Sequence, residues 1–403
     1  MTLSGGGWGY GKWGTTLVWG YQLSGVAATA NVLTQEFIDH MAQTTPEMML
    51  PEIAVTIDGT DVTSSMVSAT ITLQGNITSS TAELTLSASS LSATAHQSVA
   101  SVSVTYTMPG GDVFTGERFR GIIHKIENNS DRNSNEYVLT CYDQGFALSE
   151  NPPITVGTAR GLVWPYGEGT TALDYIQAEL SYYGLSAAFG DFDDYTPIAF
   201  YPQQYPSSLA MIADLVTGQK ESIIFFEPNG MARIRNYDAT PTSPFALPLT
   251  CQSQQSPIAD DDRYNRIVLT YPTYTFPVVT SGDFFWSVGG VAYGFPTQTS
   301  DTYTYTDAAL VSSQGLLESN ESISMRQFGA TVAARAASMV ANSQLQKYQI
   351  STPINPYLFP GETLVLTLTD STTANIRVEK CTDVMSWEGN GGFWSTLEGR
   401  VSG

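Results

Sequence analysis

Three histidines, three cysteines and 38 carboxylates are the groups from which this 403-residue chain could build a reactive site. His40, His96 and His124 form no HExxH run and no pair at helical ligand spacing, so a zincin-type centre is absent from the sequence. His124 sits between Ile123 and Lys125 in an alternating run and reads as an ordinary strand residue. Cys141, Cys251 and Cys381 are odd in number and far apart, with no CxxC spacing. That supports neither a disulfide framework nor a zinc site, and fits buried apolar thiols in a reducing compartment. No GxSxG elbow, no P-loop and no GxGxxG after a strand occurs.

The acidic runs Asp191, Asp193, Asp194 and Asp260, Asp261, Asp262 suggest calcium, but neither continues to a glycine at loop position six and a glutamate at twelve. They read as solvated loop acids. A two-carboxylate glycosidase can draw its acids from anywhere in a fold, and nothing in the sequence favours one. Asn76, Asn128 and Asn320 begin N-x-S/T triplets, as a Ser/Thr-rich chain does by chance. The expectation is a non-enzymatic chain with no catalytic residues, no cofactor and no metal.

Charge narrows the partners. Seventeen basic against 38 acidic residues give −21, and phosphate backbones are bound through Lys and Arg, so stable nucleic-acid binding is disfavoured. Anionic membrane surfaces repel such a chain as well. The sequence has neither a run of about 18 apolar residues nor a basic, then apolar, N-terminal leader, which gives an expectation of no membrane anchor and no secretion. Charged residues are only 14% of the chain, and Ser, Thr, Gly, Tyr and Asn fill the gap. Those types favour strands and turns.

The positioning elements follow from periodicity. Residues 1–50 begin with an aromatic–glycine beat carrying Trp8, Tyr10, Trp13 and Trp19, read as an extended arm whose aromatics dock on a partner. Residues 51–154 alternate with period two: Ile53–Ile57 before the turn Asp58-Gly59, then Ala69–Leu73, Ala82–Leu86, Val102–Met108, Phe119–Ile126 and Tyr137–Tyr142. Residues 155–240 read as an α+β insert. Thr170 or Thr171 caps one helix, Ser207 or Ser208 a second, and a hairpin turns at Glu227-Pro228-Asn229-Gly230. Residues 241–325 are Tyr/Thr/Pro-rich and irregular, with one clear strand at Arg266–Thr270. Residues 326–403 hold a helix over Ala330–Gln346 and strands at Thr363–Leu368, Ile376–Trp387 and Phe393–Arg400. The two β blocks share a layout at negligible identity. A duplicated barrel, or the hairpins common to any β-rich chain, would produce that.

The order of these blocks resembles the baseplate hub, or tail-tip hub, family of bacteriophage tails. Four stretches carry the resemblance: Phe114-Thr115-Gly116 with Gly121-Ile122-Ile123; Val138 to Asp143; Thr171 to Ile176 with Tyr183-Gly184-Leu185, then Ser208 to Leu215 and the Phe226-Pro228-Gly230 hairpin; and Tyr357 to Leu364, closing with Thr396 to Arg400. Glu362 stands where the family pattern has Asp, and the Trp–Gly arm lies outside the common core. The resemblance implies a β-rich α+β multidomain fold: two small hub-type β-barrels, an intervening α+β insert and an irregular β region. It also implies a virion protein made in the host cytoplasm, acting as a homotrimeric ring at the tail tip. A tail tube or distal tail protein would lie above it and a tip, spike or fibre protein below, with DNA passing through without binding. Two rivals remain. A receptor- or glycan-binding tip protein would use the 11% aromatic content and 21 tyrosines, and a tail-associated cell-wall hydrolase would use carboxylates.

Gly-rich backbone is entropically costly to fix unaided. Deletion of residues 1–20 should therefore leave far-UV circular dichroism unchanged and weaken assembly with neighbouring proteins; unfolding on deletion would place the arm in the core.

Overall fold

The computed structural model describes residues 35–41, 51–76, 79–87, 97–108, 110–130, 135–153, 171–189, 192, 194–195, 205–218, 222–236, 245–247, 253–255, 263–275, 277–280, 286–288, 291–293, 297–323, 330–367, 372–387 and 392–402. Within the span expected to be an arm, Gln35–Met41 forms a helix, α1. Seven residues are too few for a helix to persist alone, and Phe37 is what holds it. Its ring is 0% exposed, stacked on Phe114 at 4.6 Å and edge-on to Tyr106, Phe245 and Tyr357.

The first β block follows. β1 (Glu52–Ile57) turns into β2 (Thr60–Asp61) through Asp58 and Gly59, both at positive φ (49° and 77°), the geometry that closes a two-residue hairpin without splaying its strands. β3 (Met66–Gln74), β4 (Thr81–Ser87), β5 (Val99–Thr107), β6 (Val113–Ser130) and β7 (Asn135–Tyr142) complete it. Alternation sends Val102, Val104 and Tyr106 of β5 inward and leaves Ser101, Ser103 and Thr105 half-buried outside. All pairings are antiparallel, in the order β2-β1-β5-β6-β7-β4-β3.

Next comes the α+β insert, entered through α2 (Phe146–Glu150). In α3 (Ala172–Tyr182), the Thr171 side chain accepts from the Asp174 amide while the Asp174 carboxylate accepts from the Thr171 amide. After β8 (Ser186–Phe189), α4 (Ser208–Val216) is capped by Ser207. β9 (Ser222–Phe226) and β10 (Met231–Asn236) form the expected hairpin, and β8 adds parallel to β10. Ile176, Leu180, Ile212 and Leu215 of the helices pack on Ile224, Phe226 and Ile234.

Residues 241–325 hold more order than their composition announces. β11 (Ala246–Leu247) and β12 (Ser253–Gln255) return to the main sheet. β13 (Arg266–Thr275) pairs with β17 (Thr297–Thr306) over its whole length, while β14 (Val278–Val279), β15 (Trp286–Val288) and β16 (Val291–Tyr293) make a small separate sheet. After α5 (Ala308–Gln314), β18 (Glu318–Ser322) joins β13 in parallel. α6 (Ala330–Ser343), shorter than the expected span to Gln346, lays Val332, Ala336 and Val340 on Ile267, Leu269 and Tyr271. Arg335 of α6 donates to the Thr217 carbonyl at the α4 C-terminus, where a cation meets the negative end of the helix dipole.

The chain closes with β19 (Lys347–Pro353), β20 (Thr363–Thr367), β21 (Thr373–Ser386) and β22 (Phe393–Ser402). β21 pairs β22 along one edge. Its other edge is divided: Thr373–Arg377 pairs β20, and Lys380–Ser386 pairs β3 of the first block. The two β blocks are thereby one hydrogen-bonded sheet of 13 strands over one apolar core. Among the described residues no helix is long and apolar enough to cross a membrane.

Because Phe37 is the one fully buried side chain described in α1, Phe37→Ala should destabilise the protein by about 3–5 kcal/mol. A guanidinium titration of wild type and variant reads this directly; a loss under about 1 kcal/mol would show α1 to be an ornament on the core.

Candidate functional site

The seam between the β blocks is built on a buried ion pair. Two adjacent strand residues normally face opposite ways, yet Arg118 and Phe119 are both buried. A bulge explains this. Phe119 pairs Val102 and Glu117 pairs Ser103, so Arg118 is the extra residue, re-aimed inward. It meets Asp383 of β21, both side chains 0% exposed, with Nε 2.5 Å from Oδ2 and Nη2 3.3 Å from Oδ1. Nη1 donates to the Leu358 carbonyl, and the guanidinium stands 5.3 Å above the Phe359 ring. Burial alone would depress the guanidinium's pKa, but Asp383 and Cys381 beside it raise it above its ordinary value, so Arg118 stays charged.

The segment 354–359 straps the second block across the first. Tyr106 donates its hydroxyl to the Ile354 carbonyl (2.8 Å), and Tyr357 donates to the Thr115 carbonyl (2.9 Å). Gly116 has Pro356 where a side chain would stand, so the strap lies directly on the β6 backbone. Phe359 then stacks on Phe225 of the insert (5.8 Å, 20°). Three parts of the chain meet at one aromatic ring. Burial pushes the Cys141 and Cys381 thiols up to about 12, which leaves both inert.

The opposite side of the sheet is a wide polar face. One row of cross-strand neighbours runs Pro353, Trp394, Val384, Thr70, Glu83, Thr140, Lys125 from β19 to β6. The next runs Ser351, Thr396, Thr382, Thr72, Thr81, Tyr142, Ile122. Hydroxyls dominate, and Trp394 and Val384 stand out as large apolar groups at 39% and 44% exposure. Three of its cations lie beside carboxylates: Lys125 is 2.6 Å from Glu127, Lys380 3.1 Å from Glu398, and Arg400 3.2 Å from Glu379.

Trp8, Tyr10, Trp13 and Trp19, the expected partner-contact residues, lie outside the described residues, as do Asp191, Asp193, Asp260, Asp261, Asp262, His96 and Cys251. Asp194 is structural: one carboxylate oxygen accepts from the Leu173 and Tyr195 amides, fixing the start of α3. His124 is the extra residue of a second bulge in β6, its ring against Tyr142 and Phe146. No group of three His, Cys, Asp or Glu that could hold a metal occurs among the described residues. The sequence reading passed over Arg118. It precedes the strand expected at Phe119–Ile126, and only the bulge turns it in.

Arg118→Met should cost about 3–5 kcal/mol, because Asp383 is left buried without a counter-charge. The double variant Arg118→Met, Asp383→Leu should recover much of that loss, since it strands no charge. A double-mutant cycle by chemical denaturation checks it; additive losses would mean the pair is not coupled.

No family model matches the sequence, and no curated protein matches it. The fold does have relatives. A tail protein from Neisseria meningitidis MC58 superposes with a TM-score of 0.59 at 10% identity, over 87% of this chain and 96% of that one. The 43 kDa tail protein of prophage MuSo2 from Shewanella oneidensis gives 0.57 at 11%, over 87% and 98%. A prophage tail protein from Listeria monocytogenes EGD-e gives 0.50 at 11%, over 86% and 94%. At such identity the likeness speaks of architecture alone, and in architecture this chain has the β-rich fold of these tail proteins.

Proposed function

We propose that the chain is a structural, non-enzymatic hub subunit of a phage tail tip. Three copies close a ring that caps the tail tube and adapts its symmetry to the tip, spike or fibre protein below. The observation that carries this reading is the single sheet fusing two β blocks, in a chain that spans nearly the whole length of three tail proteins. Three chains with two blocks each offer six comparable units to a hexameric tube, and a heterologous interface whose rotation closes gives a ring. The Trp–Gly arm, with Trp8, Tyr10, Trp13 and Trp19, is the proposed contact to a neighbouring tip protein.

The reading extends to a DNA exit channel. Duplex DNA carries about one negative charge per 1.7 Å, so unmatched Lys and Arg on a channel wall would hold it. Each chain carries −21, and the cations described on the polar sheet face sit beside carboxylates. Such a surface lets DNA slide past.

A mass measurement, or a low-resolution image of the assembled tip, should give three copies per ring. Six copies, or one, would overturn the assembly. Coordinates of that ring should show a negative potential along its axis; a wall of Lys and Arg would sink the conduit while leaving the hub. Cell-wall zymography of the protein should give a blank gel.

A further inference from the structure

Two turns of the β body hydrogen-bond to the insert or to its entry. At the end of β3, Asn76 adopts φ 71° and treats β9 as a strand partner: its amide donates to the Ile224 carbonyl (2.8 Å), and its side-chain oxygen accepts from the Ile224 amide (2.9 Å). The second contact is Asp143, directly after β7. Its amide donates to the Ser80 carbonyl (3.0 Å), Oδ2 accepts from the Ser80 amide (2.8 Å), and Oδ1 accepts from the Gly145 amide (2.8 Å). Ser80 leads into β4 of the body. Gly145 lies against the Phe226 ring and leads into α2, whose Leu148 is buried in the insert's core. One buried carboxylate thus ties the two parts together.

We infer that Asp143 is a proton-operated latch, holding the insert to the β body more tightly when ionised than when protonated. A carboxylate only accepts, and both of its oxygens are in use. Adding a proton turns one oxygen into an O–H, a weaker acceptor that sets a donor beside an N–H, so at least one of these bonds is weakened. Burial opposes the ionised form and is the largest influence, with hydrogen bonds from Ser80, Gly145 and Phe146 acting the other way; the carboxyl is pushed up to about 7. The groups set against it are Ser80 before β4, Gly145 and Phe146 at α2, and Phe226 of β9 through Gly145, none of them charged. Protonation therefore exchanges a tight junction with a costly charge for a looser, neutral one, and does so near neutral pH.

Two signatures with opposite pH trends follow. The folded value lies above the ordinary 3.8, so the folded protein holds an extra proton between 3.8 and about 7, and global stability contributed by Asp143 falls as pH rises through that window. Local protection of the Ser80 and Gly145 amides rises over the same range as their bonds to the carboxylate tighten. The latch rests on the junction's geometry and is independent of the tail-tip reading.

The test is hydrogen–deuterium exchange on the full-length protein at about pH 5.5 and about pH 8.5, corrected for intrinsic exchange. Segments 79–82 and 143–150 should gain roughly fivefold protection at the higher pH, the worth of one buried hydrogen bond. Asp143→Asn should abolish that pH dependence, while Asn76→Ala weakens the other contact and keeps it. Protection that ignores pH in the wild type, or a midpoint that survives Asp143→Asn, would overturn the latch. Should Asp143→Asn not fold, carboxyl titration of the wild type by difference infrared decides: a buried carboxyl titrating near neutrality supports the latch, and its absence refutes it.

Discussion

A guanidinium sealed from water has to be met by a carboxylate, and here the two come from residues 265 apart in sequence. Desolvating both ions costs several kcal/mol each, an amount offset only when the geometry is good and the remaining donors are satisfied. Arg118 meets that condition through a forked contact with Asp383 and a third bond to Leu358. The consequence is specificity more than strength. A one-residue slip of β21 on β3 would point Asp383 to the outer face and strand the arginine. The alignment of the entire second block is therefore tied to one bulge in β6.

The other seam contacts obey the same alignment. Tyr106 and Tyr357 each reach a carbonyl across the seam, and Gly116 lets Pro356 rest on the backbone. The sheet they join ends in strands of three and two residues, β12 and β2. Short terminal strands leave little open backbone for stray pairing. The extended polar surface is a face and not an edge, so its backbone groups are already paired within the sheet.

What the sequence disclosed depended on how local the determining physics was. Caps at Thr171 and Ser207, the Asp58-Gly59 turn and the Glu227–Gly230 hairpin are decided within a few residues, and all were legible, the caps to within one residue. β17 was hidden because its alternation is Thr against Tyr, with little hydropathy contrast, and β19 because Lys, Gln and Ser occupy its outer positions. The pairing of β3 with β21 is fixed by a buried charge and a shared core, for which no neighbouring residue gives a sign. Arg118 was passed over for a related reason: a bulge reverses facing, and its cause lies on the adjacent strand.

The β3–β21 seam also has a mechanical meaning. Seven residue pairs, from Lys380 with Gln74 to Ser386 with Ser68, are joined side by side in antiparallel alignment. Tension that draws the two blocks apart along the strand direction strains all of these bonds at once, in shear, whereas a pull across the strands would open them one after another. The seam is thus stiff in one direction and peelable in the perpendicular one, and the direction of an applied force would decide whether the two blocks travel as one body.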